Sequence, residues 1–369
     1  MRYKRYRRHV KKFSRGRING HKAGWAAGWR LGACKGIAES TTPPTDKIRE
    51  YRVMFIPQGF EAIDAGVTEA LRRNVRELHV VDAKEMLQKA QEIRPSLVLV
   101  LNGLHVFPAE HLEHIALIRS MGILTAVWFA DDPYVTDLTV EHATRYDFVF
   151  THERTCEQLY RNNGSPQAFH LPLAAHFDLY QPMHVPPQYQ VDICFVGVAF
   201  WNRVHLFDEL APYLKNKKVL IAGSGWIRLK NHEMLKPFIH DGWLDVAESI
   251  KYYNGAKIVI NLHRTAESRV DNANGYSWPA ESINPRTFEI AAAGAFQLTD
   301  LRSELPQFYH VGTEIVAYEN AAQLIEQLEY YLRNDKERLQ IAARGYRRTL
   351  RQHTFSSRIQ SMLDIIGLK

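Results

Sequence analysis

The chain has 369 residues, 46% of them hydrophobic, enough for two domains with sizeable cores. Three cysteines, Cys34, Cys156 and Cys194, are too few and too scattered for a disulfide framework or a thiolate zinc cluster, and no run reaches the roughly 20 apolar residues of a membrane span. The net charge of +7 belongs to the first 36 residues, which hold twelve Lys and Arg and no acid; 35 bases against 40 acids remain elsewhere, and the case for a nucleic-acid-binding body falls away.

In chain order, residues 1–45 read as a basic arm and linker. The opening MRYKRYRRHVKKFSRGR is followed by no apolar signal-peptide core, which points to a cytoplasmic protein. Glycine then recurs at every fourth position, from Gly16 through Gly20, Gly24, Gly28 and Gly32 to Gly36. A step of four overshoots the helical turn by about 40°, so the seam would wind about 200° around a helix. Each glycine costs an isolated helix about 1 kcal/mol against Ala, so a helix here needs close packing on a partner or on the body, with Trp25 and Trp29 as anchors. Two readings stand: an element for self-association or for salt-sensitive contact with a polyanionic surface, or a solvated low-complexity arm. STTPPTD, Ser40 to Asp46, is a turn-rich linker.

From Tyr51 short apolar runs alternate with helical stretches. RVMFIPQGF, SLVLVLNG, LTAVWFADDP and DFVFTHE read as buried strands, with helices such as Asp64 to Asn74 and Ala109 to Met121 between them. After the proline-rich LPLAAHFDLYQPMHVPP a second series follows: VDICFVGVAF, KVLIAGSG, KIVINLHR, AFQLTD and EIVAY, with helices at Arg203 to Leu214 and Arg286 to Ala293. The expected fold class is α/β: two doubly wound Rossmann-like domains, residues 46–180 and 181–345, facing a cleft beyond the carboxyl ends of their strands. Gly197, Gly223 and Gly225 fall just after strands, where phosphates can approach the backbone and a helix N-terminus; GSG alone is a weak signal, since GxGxxG is not completed.

ESINPRTFEIAAAGAFQLTD, residues 281–300, carries the clearest chemistry. Pro285 and Arg286 open a helix with Glu289 one turn in, and Glu281 stands in the loop before it. Both carboxylates are expected to face the cleft, where they can accept from the paired hydroxyls of a ribose or hexose, and Arg286 offers a forked donor to phosphate. The plainer alternative is that Glu289 caps the helix or pairs with Arg286. On the other side of the cleft, Asp131 or Asp132 is the natural candidate for a general base, should the chemistry need one, in competition with His105, His152 and His176 and with a turn-forming role for the Asp pair. The two acids do not make a metal site, because successive strand residues point to opposite faces.

E-x7-E, followed by a small-residue helix, glycine and an apolar strand, resembles the donor-site signature of nucleotide-sugar glycosyltransferases of the GT-B fold. WFADDPY, LPLAAH, DICFVGVAFWNR, YNGAKIVINLHR, NPRTFEIAAAGAFQLTDLRSEL and HTFSSR, in this order, resemble more closely the CgeB-like spore maturation protein family, from about Arg52 to the C-terminus. The resemblance implies that Glu289 bonds the donor ribose, that Glu281 lies near the sugar hydroxyls, and that Arg203, assisted by Arg286 or Arg264, meets the diphosphate. Gly197, Gly223 and Asn261 would shape the nucleotide pocket. Arginines there would offset the leaving-group charge, so neither a metal nor another cofactor is expected; the nucleotide-sugar is substrate, with UDP-sugar ahead of the others. The last segment, residues 346–369, would cross back onto the first domain. The implied function is transfer of a sugar to a protein or polysaccharide acceptor, of the spore surface in this family. The alternatives are an epimerase or hydrolase of nucleotide-sugars, or a non-catalytic coat scaffold.

Overall fold

The computed structural model describes residues 2–42, 46–267 and 270–367. The first unit contains β1 (Arg49–Ile56), β2 (Val75–Val80), β3 (Leu97–Leu101), β4 (Leu124–Phe129), β5 (Phe148–Thr151) and β6 (Ala168–His170). All are parallel, in the order β2-β1-β3-β4-β5-β6. The second unit contains β7 (Ile193–Val196), β8 (Val219–Gly223), β9 (Ile239–Asp241), β10 (Ile258–Asn261), β11 (Gln297–Asp300) and β12 (Val316–Tyr318), parallel in the order β12-β11-β10-β7-β8-β9. In each sheet the order reverses beside the first strand, and a doubly wound sheet opens its ligand crevice at that point.

The helices follow the alternation: α1 (Arg2–Ser40), α2 (Glu61–Asn74), α3 (Met86–Ile93), α4 (His111–Ser120), α5 (Thr136–Ala143), α6 (Arg154–Asn162) and α7 (Trp201–Leu214). Then come α8 (His232–Leu235), α9 (Val246–Gly255), α10 (Pro285–Ala292), α11 (Leu305–Phe308), α12 (Ala321–Arg333), α13 (Asp335–Gln352) and α14 (Phe355–Ile366). The nine strands expected from apolar runs all form. Each of the three others, β2, β6 and β9, lies at a sheet edge and is half-covered or three residues long, so its sequence carries no continuous apolar run. Central β3, LVLVL, is buried at every residue because helices cover both faces.

The last helix leaves the second unit for the first. Phe355, Ile359, Met362, Leu363 and Ile366 of α14 complete the core built by Val67 and Leu71 of α2, and Arg49 pairs with Asp364. Gly66 of α2 lies so close beneath Phe355 that a Cβ there would come within 2.3 Å of the ring. Gly66→Ala is therefore expected to lower the unfolding free energy by about 1–3 kcal/mol, read from the denaturation midpoint; an unchanged midpoint would mean that α14 is not seated there.

The arm is helical through α1 and rests on α13, where Cys34 and Ile37 pack with Tyr346. The glycine seam does not make this contact: a Cβ at Gly20, Gly24, Gly28, Gly32 or Gly36 would meet nothing within 4 Å. Trp25, expected as an anchor, is 52% exposed, whereas Trp29 borders the groove between α1 and α13. Residues 30, 34 and 37, three and four apart, form the stripe that holds the helix to the body. The side chains of the basic run Arg2 to Arg17 lie outside the described residues, as do Pro43 to Thr45 of the expected linker.

Candidate functional site

Two strand ends of the second unit meet backbone to backbone. The Gly197 amide donates to Ala222 O at 2.7 Å and that of Ala199 to Ser224 O at 2.9 Å. Gly223 has φ +134, and a Cβ on it would lie 2.1 Å from Gly197 O. The glycines seen in the sequence thus let two turns meet backbone to backbone in front of α7.

Arg203 supports that turn from within. It is buried and donates to Val198 O at 2.9 Å and to Leu262 O at 3.1 and 2.8 Å, and a Cβ on Gly197 would sit 2.8 Å from its Nη1. Burial first, and Arg286 second, push its pKa down to about 9. The expectation that Arg203 lies open to a diphosphate is corrected to a role in shaping the turn. Asn261, also fully buried, exchanges hydrogen bonds with Asn284 and donates to Thr287 Oγ1 at 2.9 Å, fixing the start of α10 from below.

Cations nearer the opening come from elsewhere. Arg228, which sequence reasoning missed, follows the Gly225 turn, donates to Ala199 O at 3.2 Å and lies over the Trp201 ring. Arg264 lies 4.4 Å from the ring centroid of Phe200 and 4.7 Å from that of Tyr134, and so spans the two units. The first amide of α7, Trp201 N, already holds an oxyanion: Asp271 Oδ2 accepts from it at 2.8 Å, 3.8 Å from Arg228 on the other oxygen. A helix N-terminus flanked by arginines attracts anions for this reason.

Helix α10 begins as the sequence predicts, with Pro285 in its first turn, but Asn284 rather than Glu289 caps it, through Thr287 N at 2.9 Å. Glu289 instead stands beside Arg286 and the Tyr180 hydroxyl of the inter-unit segment, and Arg286 stands beside Tyr253 of α9. Burial raises the Glu289 pKa, with Arg286 and Tyr180 opposing the rise. Nε of Arg286 has no partner among the described residues, so this wall of the pocket keeps unspent hydrogen-bonding capacity.

Glu281 lies apart from Glu289, where the two units touch. Its amide and that of Ser282 donate to the buried carboxylate of Glu153, at 3.1 and 3.0 Å, and Arg154 N donates to Ser282 Oγ at 2.8 Å. Beside them Glu304 faces His170 at 3.4 Å. Glu304 Oε2, His170 Nε2 and both ring nitrogens of His152 are buried without partners among the described residues. Burial raises the Glu304 pKa from 4.5 to about 7, and burial lowers that of His170 from 6.5 to about 4. No motif announces this cluster; the docking of two distant chain segments creates it.

Its sign is testable. A carboxyl whose pKa is raised on folding stabilises the fold fully below pH 4.5, and that contribution is lost as pH climbs through about 7. Glu304→Gln is expected to flatten the decline in thermal midpoint between about pH 6.5 and 7.5, above the range from about 4 to 6.5 in which loss of the proton from buried His170 opposes it. An identical decline in the variant would remove Glu304 as its source.

In the first unit, Asn102 (φ +62) clamps the end of β4. Its amide donates to Asp131 Oδ2 at 2.7 Å and its carbonyl accepts from Ala130 N at 2.9 Å. Asp131 is about one third exposed, with His105 Nε2 at 3.9 Å. Asp132 is fully buried and accepts from Thr151 at 2.6 Å, Tyr160 at 2.7 Å and Thr139 at 3.2 Å. Of the adjacent acids, only Asp131 is accessible to an acceptor; Asp132 holds β4, α5 and α6 together. His176 sits in a groove of the inter-unit segment with Glu69 and Arg73.

Comparisons with known proteins agree with this architecture. The glycosyl transferase-like family matches residues 203–364. Spore protein CgeB of Bacillus subtilis (strain 168) is 28% identical over 315 residues, which cover 82% of this chain and 95% of that protein. Among solved structures, Anabaena Alr3699/HepE in complex with UDP and glucose is similar at a TM-score of 0.58 and 10% identity, covering 86% of this chain and all of that one. Sucrose-phosphate synthase from Thermosynechococcus elongatus is similar at 0.59 and 11%, covering 86% and 98%. The fold is that of GT-B glycosyltransferases, and the resemblance to the CgeB-like family is borne out. No helix among the described residues is long and apolar enough to cross a membrane.

Proposed function

We propose that this chain transfers a sugar from a nucleotide-sugar, with a UDP-sugar the first donor to try, to a protein or glycan acceptor. One observation carries the reading: a glycine double turn under a helix N-terminus that already holds the Asp271 carboxylate beside Arg228, with Arg264 donating to the backbone carbonyl of the same residue. A donor diphosphate would take the place of that carboxylate, and the segment bearing Asp271 would give up its bond to Trp201 N as the donor arrives. Glu289 would accept from the ribose hydroxyls and Arg286 would complete that wall.

The sugar would then lie between Arg264 and Asp131. In an inverting course Asp131, held by Asn102, takes the proton of an acceptor hydroxyl as its oxygen attacks the anomeric carbon. The bond from that carbon to the phosphate oxygen breaks, and the nucleoside diphosphate leaves with its charge offset by Arg264 and Arg228. The similarity to a spore protein makes a spore-surface acceptor the first class to try.

Calorimetric titration with UDP, GDP, dTDP and CDP, in EDTA and again with Mg²⁺, tests the reading. One nucleotide is expected to bind equally well in both buffers, and its sugar conjugate to be consumed faster when acceptor is present. Binding only with Mg²⁺ would overturn the arginine assignment, and binding of none would leave the scaffold alternative.

A further inference from the structure

The arm's attachment converges on the proposed nucleotide wall. Among the described residues, Arg30 of α1 is the charged member of the arm's docking stripe, and its guanidinium donates to three separate elements. Nη1 reaches Ala293 O at 2.9 Å and Asn254 Oδ1 at 3.0 Å, and Nη2 reaches Met183 O at 3.1 Å. Ala293 is the C-cap of α10, and the Arg30 guanidinium supplies a donor to its carbonyl just past the helix end. Beside it Gly294 has φ +63, and Cys34 packs so closely that a Cβ on Gly294 would fall 2.7 Å from its Sγ. Asn254 also holds the 181–183 segment on its own: it accepts from Met183 N at 2.7 Å and donates to Gln181 O at 3.1 Å.

Each of these elements carries a residue of the pocket a short distance along the chain. Helix α10 carries Arg286 and Glu289. Tyr253, beside Arg286, precedes Asn254 in α9, and Tyr180, beside Glu289, precedes Gln181 in the inter-unit segment. We infer that Arg30 is a positioning residue for the nucleotide: by tying α9, α10 and the 180–183 segment at one point, the docked arm sets the spacing of Tyr253, Arg286, Glu289 and Tyr180. Arm docking and nucleotide binding then strengthen each other by the same factor, because coupling between two binding events is reciprocal. The inference rests on the nucleotide-sugar reading above.

The experiment compares wild type, Arg30→Met, Arg30→Lys and a chain lacking residues 2–18, which leaves Arg30, Cys34 and Ile37 in place. UDP affinity is read by calorimetry, and the arm and α10 by amide hydrogen exchange. Arg30→Met is expected to weaken UDP binding about tenfold, within the usual range of coupling between two sites, and to raise donor KM with little change in kcat. Arg30→Lys should recover part of the affinity, and the truncated chain should match wild type. In wild type, saturating UDP should slow exchange across residues 24–37. Unchanged UDP affinity in folded Arg30→Met, or no protection of 24–37 on UDP binding, would overturn the inference; the second measurement needs no variant to fold. If wild type binds no nucleotide, the donor reading fails on its own. Faster exchange of residues 287–294 in Arg30→Met would then preserve the mechanical link from arm to α10, and unaltered exchange would remove that as well.

Discussion

Gly223→Ala is expected to abolish nucleotide binding and to cost about 3 kcal/mol or more of stability. Two effects add. The backbone at φ +134 is a conformation that a residue with a Cβ occupies only under strain of about 1–3 kcal/mol. The added methyl would also lie 2.1 Å from Gly197 O, a backbone atom that cannot rotate away. Either the ends of β7 and β8 separate or the turn refolds, and both move the amides in front of α7 that the proposal assigns to the diphosphate. Gly242→Ala is the control, since it shares a positive φ of +101 but meets nothing within 4 Å. Strain alone would make the two variants equal; a much larger loss at Gly223, measured by denaturation midpoint and by UDP calorimetry, is the expected result. Equal losses would show that the close approach of the two turns is not what the pocket depends on.

Glu289→Gln is expected to weaken nucleotide binding about 10–100-fold while leaving the thermal midpoint near that of wild type. Charge-assisted hydrogen bonds contribute about 1.5–3 kcal/mol, and a carboxylate can accept from both ribose hydroxyls where an amide offers one acceptor oxygen. Stability should hold because burial already penalises the ionised form of Glu289, so the neutral isostere removes that penalty along with the attraction of Arg286. The same shift gives the affinity a pH dependence: the accepting carboxylate is lost as pH falls, so wild-type binding should weaken toward acid and the variant should not follow it. The 2′,3′-dideoxy nucleotide supplies the cross-check. Wild type should discriminate against it and Glu289→Gln should not; equal discrimination by both would take the ribose away from Glu289.

The parts of the site carried by short continuous stretches are legible in the amino-acid sequence. NPRTFEIAAAGAFQLTD divides into cap, helix, glycine stop and strand, because each of those features is local, and α10 and β11 follow that division. The glycines after β7 and β8 are marked as turns by their neighbours, but that they touch one another is a consequence of strand pairing. Residue type alone does not fix location. Arg203 and Asn261 have the chemistry of ligand-binding residues, yet their hydrogen bonds are taken up by Val198, Leu262, Asn284 and Thr287. Asp131 and Asp132 are alike as letters, and the turn that follows β4 leaves one partly exposed and puts the other into the core. Arg228, Asn102, Glu153 and Glu304 carry no signal, since what distinguishes each is a partner 29 to 134 residues away in the chain.

The amino-acid sequence by itself determined two doubly wound α/β units, their order, and the helix that carries Arg286 and Glu289, because apolar periodicity, caps and glycine stops act within a few residues. Only the tertiary structure decided which polar groups remain available. A guanidinium or carboxylate is open to a ligand only if the folded chain has not already satisfied it, and that depends on segments far away in sequence. The arm shows this most plainly: its glycines, the feature most visible in the sequence, face open space, and Arg30, lying between two of them, ties it to three distant elements of the molecule.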